Sequence, residues 1–466
     1  MQRTITKAEL AAHNTRSSCW LALYGEVYNV SSYLAKHPGG ASLLLSVSGK
    51  DATKDFEAVH GAEGQKLIED SLPRGSKIGA LAPQESGEGR EQSPREAPVP
   101  PLESIINLED MRLAARAAMT KQTWDYYESG AETETALRES SAAFQRIFLR
   151  PRVLVGVRGV SAGCRILGQP SAFPVYVSGS AMVGMAHPEG EGALMRAAGS
   201  AGVVYMVPTL SSRPLEEVAA QRAPGQPAFF QLYVSSDRSR TEAIVRRVEA
   251  LGFQALFVTV DVPVPGRRET DMRNAFEGAP PSAMSGDEVD RGRGVMGALR
   301  TFYDPALCWD DLPWLRSLTS LPIVLKGVQT AEDALLAARH PCVSGIVVSN
   351  HGGRQLDYAR SPIEVLEEVT AALRREGLQD SIEVLLDGGI RRGTDVFKAI
   401  ALGARAVGLS RPVLWGVAAY GQAGAERVLG MLRNEFETTM RLMGARRLGD
   451  VGPECLSIRS AAASRL

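Results

Sequence analysis

The sequence predicts an α/β chain: a (β/α)8 barrel of the TIM type, preceded by a small α+β domain. Three observations predict it. Eight short β-like runs follow one another between about residues 175 and 409, and most of the segments between them carry helical periodicity. Polar residues stand at nearly every run's carboxyl exit, where such barrels gather their chemistry. The stretch from Ala82 to Pro101 is Pro, Gly, Ser, Glu and Arg with almost no bulky apolar residue, and it sets the head of the chain apart.

At 466 residues there is material for two or three domains with a large core. A net charge of -1 gives no reason to expect nucleic acid or a polyanion. The five cysteines (Cys19, Cys164, Cys308, Cys342, Cys455) are scattered, odd in number and without a CxxC pair. A disulfide framework or zinc site is therefore not expected, and a reducing compartment is. No run approaches 18 apolar residues, so no membrane span is expected. Met1 to Thr6 passes straight into domain-like sequence, leaving no expected signal or transit peptide. The ending Ser464-Arg465-Leu466 resembles the peroxisomal SKL address, and the compartment stays open.

In the head, Trp20 to Val30 reads as two strands around a Gly turn. Then comes Lys36-His37-Pro38-Gly39-Gly40, and His60 closes Phe56-Glu57-Ala58-Val59-His60, 23 residues after His37. Glycines beside His37 let the backbone approach a flat ligand, and two neutral imidazoles on facing helices could hold a haem iron from both sides. The set of HPGG, a preceding Cys-Trp strand and a second histidine at this spacing resembles the cytochrome b5 haem-binding family. That resemblance implies haem b ligated by His37 and His60, and electron transfer rather than oxygen binding. The expected division is 1–81 for this head, 82–102 for a flexible linker and 103–460 for the barrel.

Past the linker, Leu108 to Met119 is amphipathic, and Trp124 to Ala131 follows. The barrel runs are Val175–Gly179, Val203–Val207, Phe229–Val234, Leu256–Val260, Ile323–Val328, Ile346–Ser349, Val384–Asp387 and Ala406–Leu409. Ala331 to Arg339 and Pro362 to Arg375 are two of the intervening helices. The exits carry Ser178-Gly179-Ser180-Ala181, Thr209-Leu210, Gln231 with Tyr233, Thr259 with Asp261, Lys326, His351 with Arg354, Asp387-Gly388-Gly389 and Ser410-Arg411. Between the fourth and fifth runs lies a long polar gap, about Phe276 to Arg300, which reads as a mobile loop over the site. Its Gly292-Arg293-Gly294-Val295-Met296-Gly297 is a formal GxGxxG, but no strand precedes it, so a Rossmann reading fails.

The chemistry centres on Ser349-Asn350-His351-Gly352-Gly353-Arg354-Gln355-Leu356. Histidine takes a proton near neutral pH, and arginine grips a carboxylate with two parallel hydrogen bonds. Oxidation of a 2-hydroxy acid needs a base and a clamp of that kind. After the seventh run, Asp387-Gly388-Gly389-Ile390-Arg391-Arg392-Gly393-Thr394 offers glycine amides, the Arg391 charge and a helix start at Thr394, and Arg411 adds a second cation. One phosphate, two arginines and no dinucleotide motif point to FMN.

Residues 103 to 460 resemble the FMN-dependent 2-hydroxy-acid dehydrogenase/oxidase family. The motifs are SNHGGRQLD at Ser349–Asp357, DGGxRRGTD at Asp387–Asp395 and TVDxP at Thr259–Pro263. With the haem module in front, the whole chain is similar to L-lactate dehydrogenases of the flavocytochrome b2 type. The resemblance implies His351 as base, Asp261 as its partner, and Arg354 with the Tyr126 hydroxyl and Arg268 on the substrate carboxylate. It also implies Tyr233 on the substrate oxygen and Lys326 beside flavin N1/O2. Ser178, Gly179, Ser180, Ala181, Gln231, Thr259, Asp387, Gly388, Gly389, Arg391, Ser410 and Arg411 would line the FMN. A homotetramer and delivery of electrons to cytochrome c are expected, with an oxygen-using oxidase as the alternative. Of Tyr126 and Tyr127, one is expected to pack in the core. The chain departs from the family at Pro208, Gly179 and Ser410, at Leu210 where glycolate oxidases carry an aromatic, and in stopping soon after Cys455.

Overall fold

The computed structural model describes residues 3–37, 41–53, 56, 67–68, 71–73, 75–82, 98–274 and 303–458. His60, most of the expected linker, the gap from Phe276 to Arg300 and the Ser464-Arg465-Leu466 ending lie outside the described residues. The chain divides into two units near residue 92.

In the first unit, β1 (Thr4–Ile5), β2 (Asn14–Thr15), β3 (Ser18–Leu23), β4 (Glu26–Asn29) and β5 (Lys77–Leu81) form one sheet in the order β1-β5-β4-β3-β2. The β3–β4 hairpin turns at Tyr24 and Gly25, both at positive φ (52° and 80°), as a two-residue hairpin requires. Side chains alternate across β3. Cys19, Leu21 and Leu23 pack with Val30, Leu34 and Ile68 on one face, while Ala22 joins Ile5, Leu10 and Val27 on the other. His37 differs from expectation: it follows a run of turns over residues 31–36 and does not stand on a helix. Its N–H donates to the Tyr33 carbonyl at 3.1 Å, and its ring meets Tyr33 edge-on at 6.1 Å.

The second unit opens with helices Leu108–Ala118 and Lys121–Glu128, each started by a polar side chain. Asn107 accepts from the Asp110 N–H at 2.9 Å, and Thr120 accepts from the Thr123 N–H at 3.2 Å. Then β6 (Ile147–Leu149) pairs antiparallel with the last strand of the chain, and β7 (Cys164–Ile166) and β8 (Gln169–Ser171) form a hairpin. Eight parallel strands close the barrel: β9 (Val175–Val177), β10 (Val204–Pro208), β11 (Ala228–Leu232), β12 (Leu256–Thr259), β13 (Ile323–Val328), β14 (Gly345–Val348), β15 (Glu383–Asp387) and β16 (Val407–Leu409). Each lies within two residues of its expected run. The partner of β6 is β17 (Leu456–Ile458).

Alternation along the strands builds two layers. Tyr176, Met206, Phe229, Phe257, Val324, Val347 and Leu385 fill the barrel interior, with Ile166 of β7 joining them. Val175, Tyr205, Phe230, Val258, Leu325, Ile346 and Leu386 face outward into the large core shared with the helices. Helices Ala331–Arg339 and Pro362–Arg375 occupy their expected spans. In β13 the pairing with β14 shifts register between Lys326 and Val328, a bulge at Gly327 whose φ is +116°. Among the described residues, no helix is long and apolar enough to cross a membrane.

Candidate active site

The strand exits converge on one cleft with an empty volume, mouth included, of about 1140 Å³, the scale of a small-molecule or cofactor site. Every catalytic and flavin-lining residue expected above in the barrel lies on its wall except Asp261, which sits directly behind His351. His37 belongs to the first unit.

His351 leaves β14 in a left-handed conformation (φ +55°), an uncommon state for a non-glycine residue that its surroundings must hold. Its N–H donates to Ser349 Oγ at 3.0 Å, and the Asn350 side chain accepts from the Gly353 N–H at 3.1 Å while donating to Ser140 Oγ at 2.9 Å. The ring's Nδ1 stands 2.9 Å from Asp261 Oδ1. A carboxylate there accepts a hydrogen bond from Nδ1–H, so Nε2 keeps its lone pair. Burial pulls the His351 pKa below its usual value. Asp261 pushes it up, and the Lys326 and Arg354 charges add to the lowering. Burial raises Asp261, but the charge and hydrogen bond of His351, with Lys326, leave it below the ordinary carboxylate value. The resting pair is a neutral imidazole with an ionised carboxylate.

Lys326 is 7% exposed and emerges from β13 to pair with Asp387 Oδ2 of β15 at 2.9 Å and to donate to Ser349 Oγ at 3.2 Å. Burial lowers its pKa, yet Asp387 and Asp261 raise it further, and it stays charged. The cation that the sequence placed at a strand's end is buried and paired.

Arg354 donates through Nη1 to the carbonyls of Tyr126 and Tyr127, both at 2.8 Å, and lies 5.1 Å over the Tyr126 ring. Arg268 flanks the same ring at 5.6 Å, and its buried Nε and Nη1 have no partner among the described residues. Burial and the Arg268 charge pull Arg354 down, but a guanidinium remains protonated at neutral pH. Tyr127 is the packed tyrosine of the two: its hydroxyl donates to the Met182 carbonyl at 2.6 Å. Tyr126 and Tyr233 face the cleft.

The opposite wall suits a flat ring with polar edges. Gln231 Nε2 donates to Thr259 Oγ1 at 2.9 Å, Ser180 and Ser410 share a hydrogen bond at 3.0 Å, and the buried Ser178 hydroxyl has no partner among the described residues. Gly389, at φ +79°, accepts no side chain, since a Cβ would fall 1.9 Å from the Ser140 carbonyl oxygen. These residues fit FMN. At the phosphate end one expectation is corrected. The helix starts at Gly393, and its first amides are already used. Asp395 accepts from the Arg391 and Arg392 N–H groups at 3.0 Å, and Glu435 accepts from Gly393 at 2.7 Å. What remains for a phosphate is the Gly388–Gly389 backbone with Arg391, stacked 4.8 Å over Trp415, and Arg411. Arg411 is braced by the carbonyls of Tyr127 (2.8 Å), Gly352 (2.9 Å) and Ser129 (3.2 Å). In the head, the half-buried His37 beside the apolar cluster of Leu34, Leu44 and Leu72 suits one side of a haem.

Several residues were not read from sequence. Ser349 ties the base loop to Lys326. Gln355 donates to the carbonyls of Asp261 (3.0 Å) and Val264 (2.9 Å) and accepts from the Gly266 N–H (3.0 Å), and so locks two loops together. Ser349 and Gln355 lay inside a quoted motif, a signal that was there to use. Tyr303, also on the wall, carried none.

Comparison with known proteins agrees with this geometry. The family described as FMN-dependent dehydrogenase matches residues 115–458, and the one described as cytochrome b5-like heme/steroid binding domain matches residues 6–82. An L-lactate dehydrogenase (cytochrome) of Wickerhamomyces anomalus is 42% identical over 463 residues, covering 98% of this chain and 80% of the relative. Glycolate oxidase of Spinacia oleracea is 45% identical over 355 residues, 74% of this chain and 94% of the relative. The solved flavin-binding domain of baker's yeast flavocytochrome b2 is 43% identical, with a TM-score of 0.72 over 79% of this chain and 90% of that one. A chain with this cleft, these motifs and this head belongs to the FMN-dependent dehydrogenase family, in the branch that carries a cytochrome b5-like domain ahead of the barrel.

Proposed function

We propose that the protein oxidises a short L-2-hydroxy acid, L-lactate foremost, to the 2-oxo acid and passes the electrons through haem b to cytochrome c. The observation that carries this reading is the 2.9 Å contact between His351 Nδ1 and Asp261, set in the same cleft as Arg354, Arg268 and the flavin-sized wall. FMN held by this wall would supply the two-electron oxidation of the substrate carbon and one-electron delivery toward the haem.

The chain's own residues do the rest. Arg354 and Arg268, with the Tyr126 hydroxyl, hold the substrate carboxylate; the Arg268 nitrogens that meet no partner among the described residues supply donors for it. Tyr233 fixes the substrate hydroxyl. His351 Nε2 takes a substrate proton, and Asp261 stabilises the imidazolium that results. Lys326, charged and buried, sits where it can offset negative charge on a reduced ring. Ser178, Gly179, Ser180, Ala181, Gln231, Thr259, Asp387, Gly388, Gly389, Arg391, Ser410 and Arg411 hold the FMN, and His37 with His60 the haem iron.

We assign residues 1–81 to the haem head, 82–102 to the link and 103–460 to the oxidising barrel, a division that limited proteolysis tests. A homotetramer is part of the reading, and a single-chain mass by light scattering would remove it. The central experiment is anaerobic mixing of the purified holoprotein with L-lactate, followed by addition of cytochrome c. Bleaching of the flavin and then reduction of cytochrome c is the expected result. An unbleached flavin, or hydrogen peroxide formed in air at one per lactate with cytochrome c untouched, would overturn it.

A further inference from the structure

Among the cleft-wall residues given no role above are Leu210, Val262 and Tyr303. The first two are apolar. Tyr303 is not. It is only 5% exposed, and its ring stands edge-on to Tyr233 with centroids 4.8 Å apart and planes at 89°. Its backbone is tied down on both sides: the Tyr303 carbonyl accepts from Ser236 Oγ at 3.2 Å, and the Asp304 N–H donates to the Val234 carbonyl at 3.0 Å. The ring is therefore held in place and not swung in from a surface.

Its hydroxyl makes no hydrogen bond to any described residue. Tyr303 borders two hollows, but the groups whose charges reach its oxygen, Arg268, Arg354 and Tyr126, line the substrate cleft and not the neighbouring one. A fixed phenol whose access is through the cleft is left short of a partner unless a ligand or a water supplies one.

We infer that Tyr303 is a specificity-determining residue, whose hydroxyl meets the side chain of the substrate and raises the site's acceptance of 2-hydroxy acids bearing a hydrogen-bonding group at C3 relative to L-lactate. The inference rests on the hydroxy-acid reading of the site. With the carboxylate at the arginines and the hydroxyl at His351 and Tyr233, the third substituent on the reacting carbon is left to the walls that Tyr303 shares with Leu210 and Val262. A site that hydrogen-bonds a substrate hydroxyl discriminates against the analogue lacking it, because the site's own polar group then goes unmet.

The test compares L-lactate with L-glycerate, the same acid carrying a hydroxyl on C3, by the apparent second-order rate of anaerobic flavin reduction in the holoprotein and in Tyr303→Phe. The variant removes one oxygen and keeps the ring, and its flavin absorption reports that the fold and cofactor are intact. The expected result is a fall of about tenfold in the glycerate-to-lactate ratio on substitution, the scale of one neutral hydrogen bond. A ratio that stays the same, or rises, would overturn the role of Tyr303 while leaving the hydroxy-acid reading in place. Failure of both acids to bleach the wild-type flavin would instead bring down that reading, and this inference with it.

Discussion

Gly327 stands where any side chain would collide with Asp261: a Cβ built on it falls 2.5 Å from both Cβ and Cγ of that aspartate. Asp261 follows β12, His351 follows β14, and β13 runs between them, so the two can meet only if the end of β13 stays out of the way. A bulge occupied by glycine achieves this.

Gly327→Ala should therefore fold and bind flavin but misplace the carboxylate that orients the base. A shift of about 1 Å at such a pair costs about 10²-fold in rate. Flavin content and kcat, measured on the same preparation, should separate. Loss of both together would mean that the glycine serves the fold alone.

His351→Gln should keep the flavin and lose about 10²–10⁴ in kcat, the range of general base catalysis. Near wild-type turnover would remove His351 from the chemistry.

Asp261→Asn carries a signed prediction. His351 works as the neutral base, so activity is lost as pH falls through its pKa, which burial already holds below the usual value. Asp261 raises that pKa, so its removal should move the acid limb of kcat/KM to lower pH while the plateau falls. A limb that moves to higher pH would contradict the assignment.

Lys326→Met should move the same limb the other way, because the lysine's charge lowers the His351 pKa. It also strands Asp387 without its buried partner, a change that typically costs about 3–5 kcal/mol of stability. Denaturant melts and a pH–rate profile test the two effects separately.

Arg354→Lys should lower kcat/KM by about 10²-fold, near 3 kcal/mol of charge-assisted hydrogen bonding. An ammonium cannot hold the Tyr126 and Tyr127 carbonyls and still present a flat pair of donors to a carboxylate. Unchanged kcat and KM would take Arg354 out of the binding site.

The barrel was legible because its signal is repeated: eight strands buried on both faces read as short apolar runs, and each exit shows its polar residue next in sequence. His351, Arg354 and Asp387 could be found that way. What could not be found depends on neighbours remote in the chain. The helix start at Gly393 looks free for a phosphate until Glu435, 42 residues later, is seen capping it. Gly327 reads as an ordinary strand glycine, since its reason lies on β12. Tyr303 borders a segment with no regular pattern, so nothing local announced that it would line the cleft. The haem reading set His37 on a helix, but its backbone follows a run of turns over residues 31–36.

Because carboxylates already occupy the amides at Gly393, the anion-holding end of the cleft is left to arginine side chains. Burial and the Arg411 charge pull Arg391 down, burial and the Arg268 charge pull Arg411 down, and Arg268 and Arg354 share the same hollow. Four guanidiniums thus line one cleft, and an anionic cofactor relieves their repulsion. Loading the cofactor and consolidating the barrel are thus one coupled event, and inorganic phosphate or sulfate in the buffer should shelter the empty protein until the flavin arrives.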